Sequence, residues 1–261
     1  MENNIETHKI KIKVRNLFKT FGVHKVLDGI DLDIKQDSSM VILGGSGTGK
    51  SVLIKTIIGL LNPDRGSILF DDKETVNISK TERLKILENC GFLFQGGALF
   101  DSLNVVDNIT FFAQKLYSLK ENDKKELAVQ KLKSVGLSDR IMTLYPSELS
   151  GGMQKRVALA RAICTEPKVI FFDEPTTGLD PIMANVINEL IIKVRKELGA
   201  TTITITHDMN SARMIAEDVA LLHNGKLQWV GTREEMENAQ NPYLHQFING
   251  LPQIIENAPI K

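Results

Sequence analysis

The sequence is poor in the features that would carry a chain into or through a membrane. No uncharged apolar run approaches the length of a spanning helix, because residues 51–61 and 169–172, the most apolar stretches, are short or broken by charge. The first seven residues are polar and acidic with no apolar core, so no secretory signal is expected. Cysteine is scarce. Cys90 and Cys164 are the two present, far apart and without a Cys-x-x-Cys pair, which argues against a disulfide framework and for buried thiols in a reducing compartment. No charge predominates either, with 32 Lys plus Arg against 32 Asp plus Glu. A binder of nucleic-acid backbone usually shows a basic excess, so no nucleic-acid partner is expected. No internal repeat or low-complexity segment is visible. What remains is 261 residues, 42% hydrophobic and 25% charged, the composition of one large folded domain or a domain carrying a lobe.

The hydrophobic pattern changes along the chain. Ile10, Ile12 and Val14 alternate with lysines, and Ile30, Leu32 and Ile34 with aspartates. Period two with one polar face predicts antiparallel strands that cover something on one side. Residues 40–43, 90–94 and 169–172 are short apolar runs that suit strands buried on both faces. Helical spacing predicts helices over 50–61, 106–119, 124–135, 155–163 and 181–198, with Pro181 in a first turn and Lys124 and Lys125 at a solvated helix start. Further strands are expected at 66–72, 202–206 and 219–223, the last joined by Asn224-Gly225 to a hairpin strand at 226–230. Strands alternating with helices imply an α/β core. The segment from Asn241, with Pro242, Pro252 and Pro259, is expected to be partly extended or loosely docked.

Three elements carry chemistry. Gly44-Gly45-Ser46-Gly47-Thr48-Gly49-Lys50-Ser51 fits G-x-x-x-x-G-K-[ST] between a buried strand and a helix. The glycines let backbone N–H groups curl toward phosphate oxygens, and the helix adds its positive dipole end. Lys50 supplies a cation for the β- and γ-phosphates, and Ser51 a hydroxyl for Mg²⁺. Residues 169–172 lead into Asp173 and Glu174, which places two carboxylates at a strand's C-terminal end, where open α/β sheets bind ligands. Asp173 is suited to the Mg²⁺ shell, and Glu174 to polarising the water that attacks the γ-phosphate. Third, Ser150, Gly151 and Gly152 open the helix after Leu149, so exposed N–H groups there form a second anion site.

Leu149-Ser150-Gly151-Gly152-Met153-Gln154, lying between the phosphate loop and the carboxylate strand, resembles the signature of ATP-binding-cassette (ABC) ATPases. The resemblance implies a P-loop NTPase core of α/β class with an antiparallel β subdomain and an inserted α-helical subdomain. It places one cassette over residues 8–250, the helical subdomain at about 96–166, and a tail at 251–261. It also implies ATP and Mg²⁺, and a homodimer in the ATP-bound state in which each signature caps the partner's nucleotide. By the same resemblance Gln95 contacts Mg²⁺ and the attacking water and relays to a membrane partner. Gly178-Leu179-Asp180 forms the loop that crosses the dimer interface, His207 touches the γ-phosphate, and Phe21 lies under the adenine. A packing role is open for both His207 and Phe21.

One cassette without a spanning helix is similar to a separate ATPase subunit that docks on an integral-membrane permease at the inner, cytoplasmic face of the cell membrane. The wording Leu93-Phe94-Gln95-Gly96-Gly97-Ala98-Leu99-Phe100-Asp101-Ser102-Leu103 and Gln246-Phe247-Ile248-Asn249-Gly250 resembles the ATPase subunits of Mla-type (MCE-linked) phospholipid transporters. An MCE-type lipid-binding partner is then implied. An importer ATPase for a polar solute, or a soluble ABC ATPase without a permease, stays open at this stage.

Overall fold

The computed structural model describes residues 9–251, so the polar start, His8, Pro252 and Pro259 lie outside the described residues. Strand β1 (Ile10–Phe21) runs back through Gly22 into β2 (His24–Lys35). The two pair antiparallel with Val14 opposite Leu32 and Ile12 opposite Ile34, so all four apolar side chains share one buried face. Strand β3 (Ser39–Leu43) is buried throughout and delivers the chain to the phosphate loop and α1 (Lys50–Ile57). Helix α1 ends earlier than the apolar spacing suggests, because Gly59 turns the chain at φ +75°. Strands β4 (Arg65–Phe70) and β5 (Lys73–Glu74) complete a four-stranded antiparallel sheet in the order β2-β1-β4-β5.

Helix α2 (Lys80–Leu87) follows, then β6 (Cys90–Leu93). Between β6 and β7 (Val169–Asp173) the chain makes three mutually packed helices, α3 (Val105–Tyr117), α4 (Glu121–Ser134) and α5 (Gly151–Ala162). Lys124 is not the solvated helix start expected from sequence. It lies a turn inside α4, where its ammonium reaches Asp107 on α3 at 2.7 Å and Glu121 at 3.1 Å, and its side chain is largely buried. Helix α6 (Pro181–Leu198) begins at an Asp180 cap and ends on Gly199 at φ +55°. Strand β8 (Thr201–Thr206), helix α7 (Met209–Ile215), and strands β9 (Asp218–His223) and β10 (Lys226–Thr232) follow.

The second sheet has six strands in the order β10-β9-β3-β8-β7-β6, parallel except for the β9–β10 hairpin. Alternation splits its buried residues between two cores. Val41, Leu43, Ile170 and Phe172 face the core shared with α3, α5, α6 and α7. Met40, Ile42, Val169 and Phe171 face the core shared with α1 and the antiparallel sheet. Strands β3 and β7 are therefore apolar on both faces, whereas β8 turns Ile203 and Ile205 to the second core and buries Thr202, Thr204 and Thr206 on its other face; the loops after β3, β6, β7 and β8 emerge at one edge.

The chain closes with α8 (Arg233–Met236) and α9 (Pro242–Ile248). Between Asn241 and Ile248 the chain is thus helical and docked, where a partly extended or loosely docked segment was expected; the rest of that segment beyond Leu251 lies outside the described residues. Asn241 caps α9, Pro242 occupies its first turn, and Leu244 is fully buried.

Candidate active site

The phosphate loop is shaped by two close approaches. A side chain at Gly44 would collide with the Leu222 carbonyl, and one at Gly49 would lie 2.8 Å from the Val26 carbonyl oxygen. Gly47 and Gly49 take φ +76° and +101°, a region that L side chains rarely adopt. Thr48 Oγ1 donates to the Gly45 carbonyl at 2.9 Å and holds the loop closed on itself. No side chain caps α1, so its first N–H groups are left for an external acceptor. Lys50 curls back along the loop and donates to the carbonyls of Gly44 at 2.7 Å and Gly45 at 2.8 Å. Burial pulls its ammonium below the ordinary lysine range, against an upward pull from Glu174.

The carboxylates stand at the end of β7. Asp173 Oδ1 lies 3.5 Å from Ser51 Oγ, which joins the strand to the first turn of α1. Burial, and then the neighbouring Glu174, raise the Asp173 carboxyl above the usual carboxylate range. Glu174 is buried and adopts φ +48°, unusual for a residue with a Cβ. Its backbone N–H donates to Ile205 O at 2.9 Å, which ties it to β8. One carboxylate oxygen, Oε2, meets His207 Nδ1 at 2.8 Å and accepts from Thr177 Oγ1 at 3.1 Å. The other, Oε1, faces Lys50 Nζ at 3.7 Å.

These groups line a cleft of about 720 Å³. Gly45, Ser46, Gly47, Gly49, Lys50, Ser51, Gln95, Glu174 and His207 reach it from the ends of β3, β6, β7 and β8. Asp173 sits beneath it through Ser51. The donor set fits a nucleotide triphosphate with Mg²⁺. There are uncapped helix N–H groups, a movable ammonium, and the hard oxygens of Ser51 and Asp173, few enough to leave a magnesium ion waters and phosphate oxygens.

Other candidates stand apart from the cleft. Phe21 is 46% exposed at the end of β1, with Lys19 Nζ 5.5 Å from its ring. Ser150, Gly151 and Gly152 open α5 at the surface, where Ser150 Oγ accepts from the Met153 N–H at 3.3 Å. Asp180 is exposed and accepts from the N–H groups of Ile182 and Met183, both at 3.0 Å. Gly152 packs against Met183, so the signature touches the start of α6.

Sequence reasoning missed four contributors. Phe247, Gly250 and Leu251, in and after α9, form the far rim of the cleft. Thr177 holds Glu174. The late stretch Gln246-Phe247-Ile248-Asn249-Gly250 was distinctive in wording, but nothing in its spacing places it against the phosphate loop.

The profile of the ABC transporter family matches residues 27–177. The probable ribonucleotide transport ATP-binding protein mkl of Mycobacterium leprae is 39% identical over 92% of this chain and 69% of its own length. The intermembrane phospholipid transport system ATP-binding protein MlaF of Haemophilus influenzae is 38% identical over 92% of this chain and 90% of its own. Among solved structures, the dimeric ATP-binding cassette MJ0796 in a post-hydrolysis state with ADP and Pi superposes with a TM-score of 0.79. It is 31% identical, and the match covers 85% of this chain and 98% of that one.

Proposed function

The chain belongs to the ABC transporter family as an ATP-hydrolysing subunit, and from that premise we propose that it drives phospholipid transport through an integral-membrane permease. The observation that carries the lipid reading is the similarity to MlaF, which spans 92% of this chain and 90% of that protein. The name of the mycobacterial relative supports a second reading, a polar cargo. Among the described residues no helix is long and apolar enough to cross a membrane. We place the chain on the cytoplasmic face, with an MCE-type lipid-binding protein in the same assembly.

The proposed chemistry follows from the cleft. Lys50 exchanges the Gly44 and Gly45 carbonyls for the β- and γ-phosphates of ATP, while the uncapped N–H groups of α1 and the loop hold the same oxygens. Ser51, Asp173 and Gln95 are the residues for Mg²⁺, which when bound neutralises charge on the phosphates. Glu174 takes the proton of the attacking water. His207 and Thr177 fix the orientation of that carboxylate, and His207 extends to the γ-phosphate. Phe21 is assigned to the adenine face.

Ser150–Gly152 and Asp180 lie outside their own chain's cleft, at exposed helix starts. A second copy packed head to tail brings the uncapped part of α5 to the partner's nucleotide, an arrangement supported by the dimeric state of the similar MJ0796 cassette. Residues 8–250 then act as one cassette, with the helical block at about 96–166 facing the permease and 251–261 as a tail.

Purification of the complex from membranes, followed by mass spectrometry of its small molecules, tests the cargo. Phospholipid enrichment supports the reading. A complex that carries a polar solute and no lipid, or a chain that recovers no permease, overturns it.

A further inference from the structure

Ser211 lies in the first turn of α7 and is fully buried. Its Oγ donates to Asp208 Oδ2 at 2.7 Å. Asn188 Nδ2, on α6, lies 2.9 Å from that oxygen, and Thr176 Oγ1, in the loop after β7, lies 3.2 Å from it. A hydroxyl carries one proton and two lone pairs, and here the carboxylate takes the proton. Ser211 therefore accepts from both Asn188 and Thr176, and every hydrogen-bonding position of its oxygen is filled. The same proton count turns the amide nitrogen of Asn188 toward Ser211 and leaves Asn188 Oδ1 buried without a partner. An unpaired buried oxygen costs stability, so packing alone does not account for an amide at this position.

The junction brackets the contact between Glu174 and His207. On one side of that contact the Glu174 N–H donates to Ile205 O at 2.9 Å. On the other, Thr176 and Asp208, two residues beyond Glu174 and one beyond His207, are joined through Ser211. Asp208 is itself fixed, because its N–H donates to Thr206 Oγ1 at 3.0 Å and its carboxylate accepts from the N–H groups of Asn210 and Ser211. The His207 side chain is exposed, so the backbone on either side of it, and not packing on the ring, sets where the ring stands. The first tie alone lets the two loops pivot about the strand ends, and the second removes that freedom.

We propose that Ser211 is a positioning residue for hydrolysis: its hydroxyl locks the loop carrying Glu174 to the loop carrying His207 and so holds the imidazole against the carboxylate. This inference rests on the roles given to Glu174 and His207 above.

The test measures ATP hydrolysis by the full chain, with single-turnover rates on radiolabelled ATP for slow variants. Ser211→Ala removes the hydroxyl. Thr176→Val removes one of its donors with little change of shape and serves if Ser211→Ala does not fold, and Thr176→Ser puts the donor back. In Ser211→Ala kcat is expected to fall about tenfold with KM for ATP within about twofold of wild type, because a misplaced catalytic group slows the chemical step and leaves the phosphate loop as it was. Thr176→Val should show a smaller loss of the same kind, and Thr176→Ser should recover most of it. In a His207→Ala background, Ser211→Ala should lower kcat little further, since the contact it supports is already gone, whereas a merely destabilising change would act in both backgrounds. Unchanged kcat in a folded Ser211→Ala or Thr176→Val, or a loss in the His207→Ala background as large as in the wild-type one, overturns this inference alone. A His207→Ala variant with wild-type kcat overturns the reading of the pair on which it rests.

Discussion

His207 Nδ1 lies 2.8 Å from Glu174 Oε2, although the two residues are 33 apart in sequence. The contact joins the loop after β7 to the loop after β8. It exists because those strands are parallel neighbours and Glu174 turns into the left-handed region as it leaves the sheet. A proton on Nδ1 makes this a charge-assisted hydrogen bond, and such bonds are short and directional. The carboxylate proposed as the base is thus oriented by the protein's own groups.

Glu174→Gln is expected to lower kcat about 100-fold or more, the scale of a lost general base, while leaving ATP binding intact. ATP-dependent dimers should accumulate, measured by size exclusion with and without ATP. Turnover near the wild-type rate would remove Glu174 from the base role. His207→Ala should lower kcat, because it removes a partner of the Glu174 carboxylate and the proposed contact to the γ-phosphate.

Lys50→Ala is expected to weaken ATP binding about tenfold or more, since it removes a charged donor from the phosphates. The melting temperature should also fall, because the ammonium holds two loop carbonyls and faces the buried Glu174 carboxylate at 3.7 Å. Equilibrium binding of a fluorescent nucleotide and a melting curve check the two halves separately. Unchanged ATPase activity would contradict the phosphate-loop reading.

Chelation by EDTA is expected to abolish hydrolysis, and excess Mg²⁺ to restore it. Asp173→Asn should raise the Mg²⁺ concentration needed for half-maximal activity, because it removes the charged oxygen beside Ser51. A titration of rate against free Mg²⁺ reads this directly. An unchanged Mg²⁺ requirement would place the metal elsewhere.

The parts of the site that could be read in sequence are those where chemistry and pattern coincide. The phosphate loop follows a strand that is apolar at every position but its first serine, and Asp173 and Glu174 follow another apolar run, so periodicity alone brings both to the sheet edge. Helix α6 is legible to the residue, because Asp180, Pro181 and Gly199 mark its ends and its apolar face repeats at three and four. Helix α2 has no fully buried residue, and only Ile86 and Leu87 at its end pack partly against the core, so it carries no apolar stripe. Its one local signal was the pair Ser79 and Glu82, which forms a capping box. Helix α9 was masked by its prolines, although Pro242 stands at the one helical position that tolerates it. Lys155 was illegible for a different reason. A lysine on a helix normally faces water, and only the packing of α5 among α3, α4 and β6 turns it inward.

Both thiols should be inert in the native protein. Burial pushes Cys90 up to about 12 and Cys164 up to about 12. At pH 8 the thiolate fraction of each is then about one in 10,000, and only the thiolate reacts. Ellman's reagent should label the native protein slowly and label two thiols at once in guanidinium. Fast native labelling would mean that β6 or the end of α5 opens readily.

Leu244→Ala joins the two themes of fold and site. Leu244 is fully buried between α9 and the rest of the core, and α9 carries Phe247 to the rim of the nucleotide cleft. Its truncation should cost about 2–5 kcal/mol of stability, the range for a buried leucine whose cavity does not collapse. Because α9 has only seven residues and is fixed by one fully buried side chain, the loss should fall on its docking before the sheet unfolds. Hydrogen exchange should therefore rise first over residues 242–248 and leave β3 and β7 protected. Added nucleotide should slow that exchange if the rim contributes to binding. Equal exchange with and without nucleotide would confine α9 to a packing role.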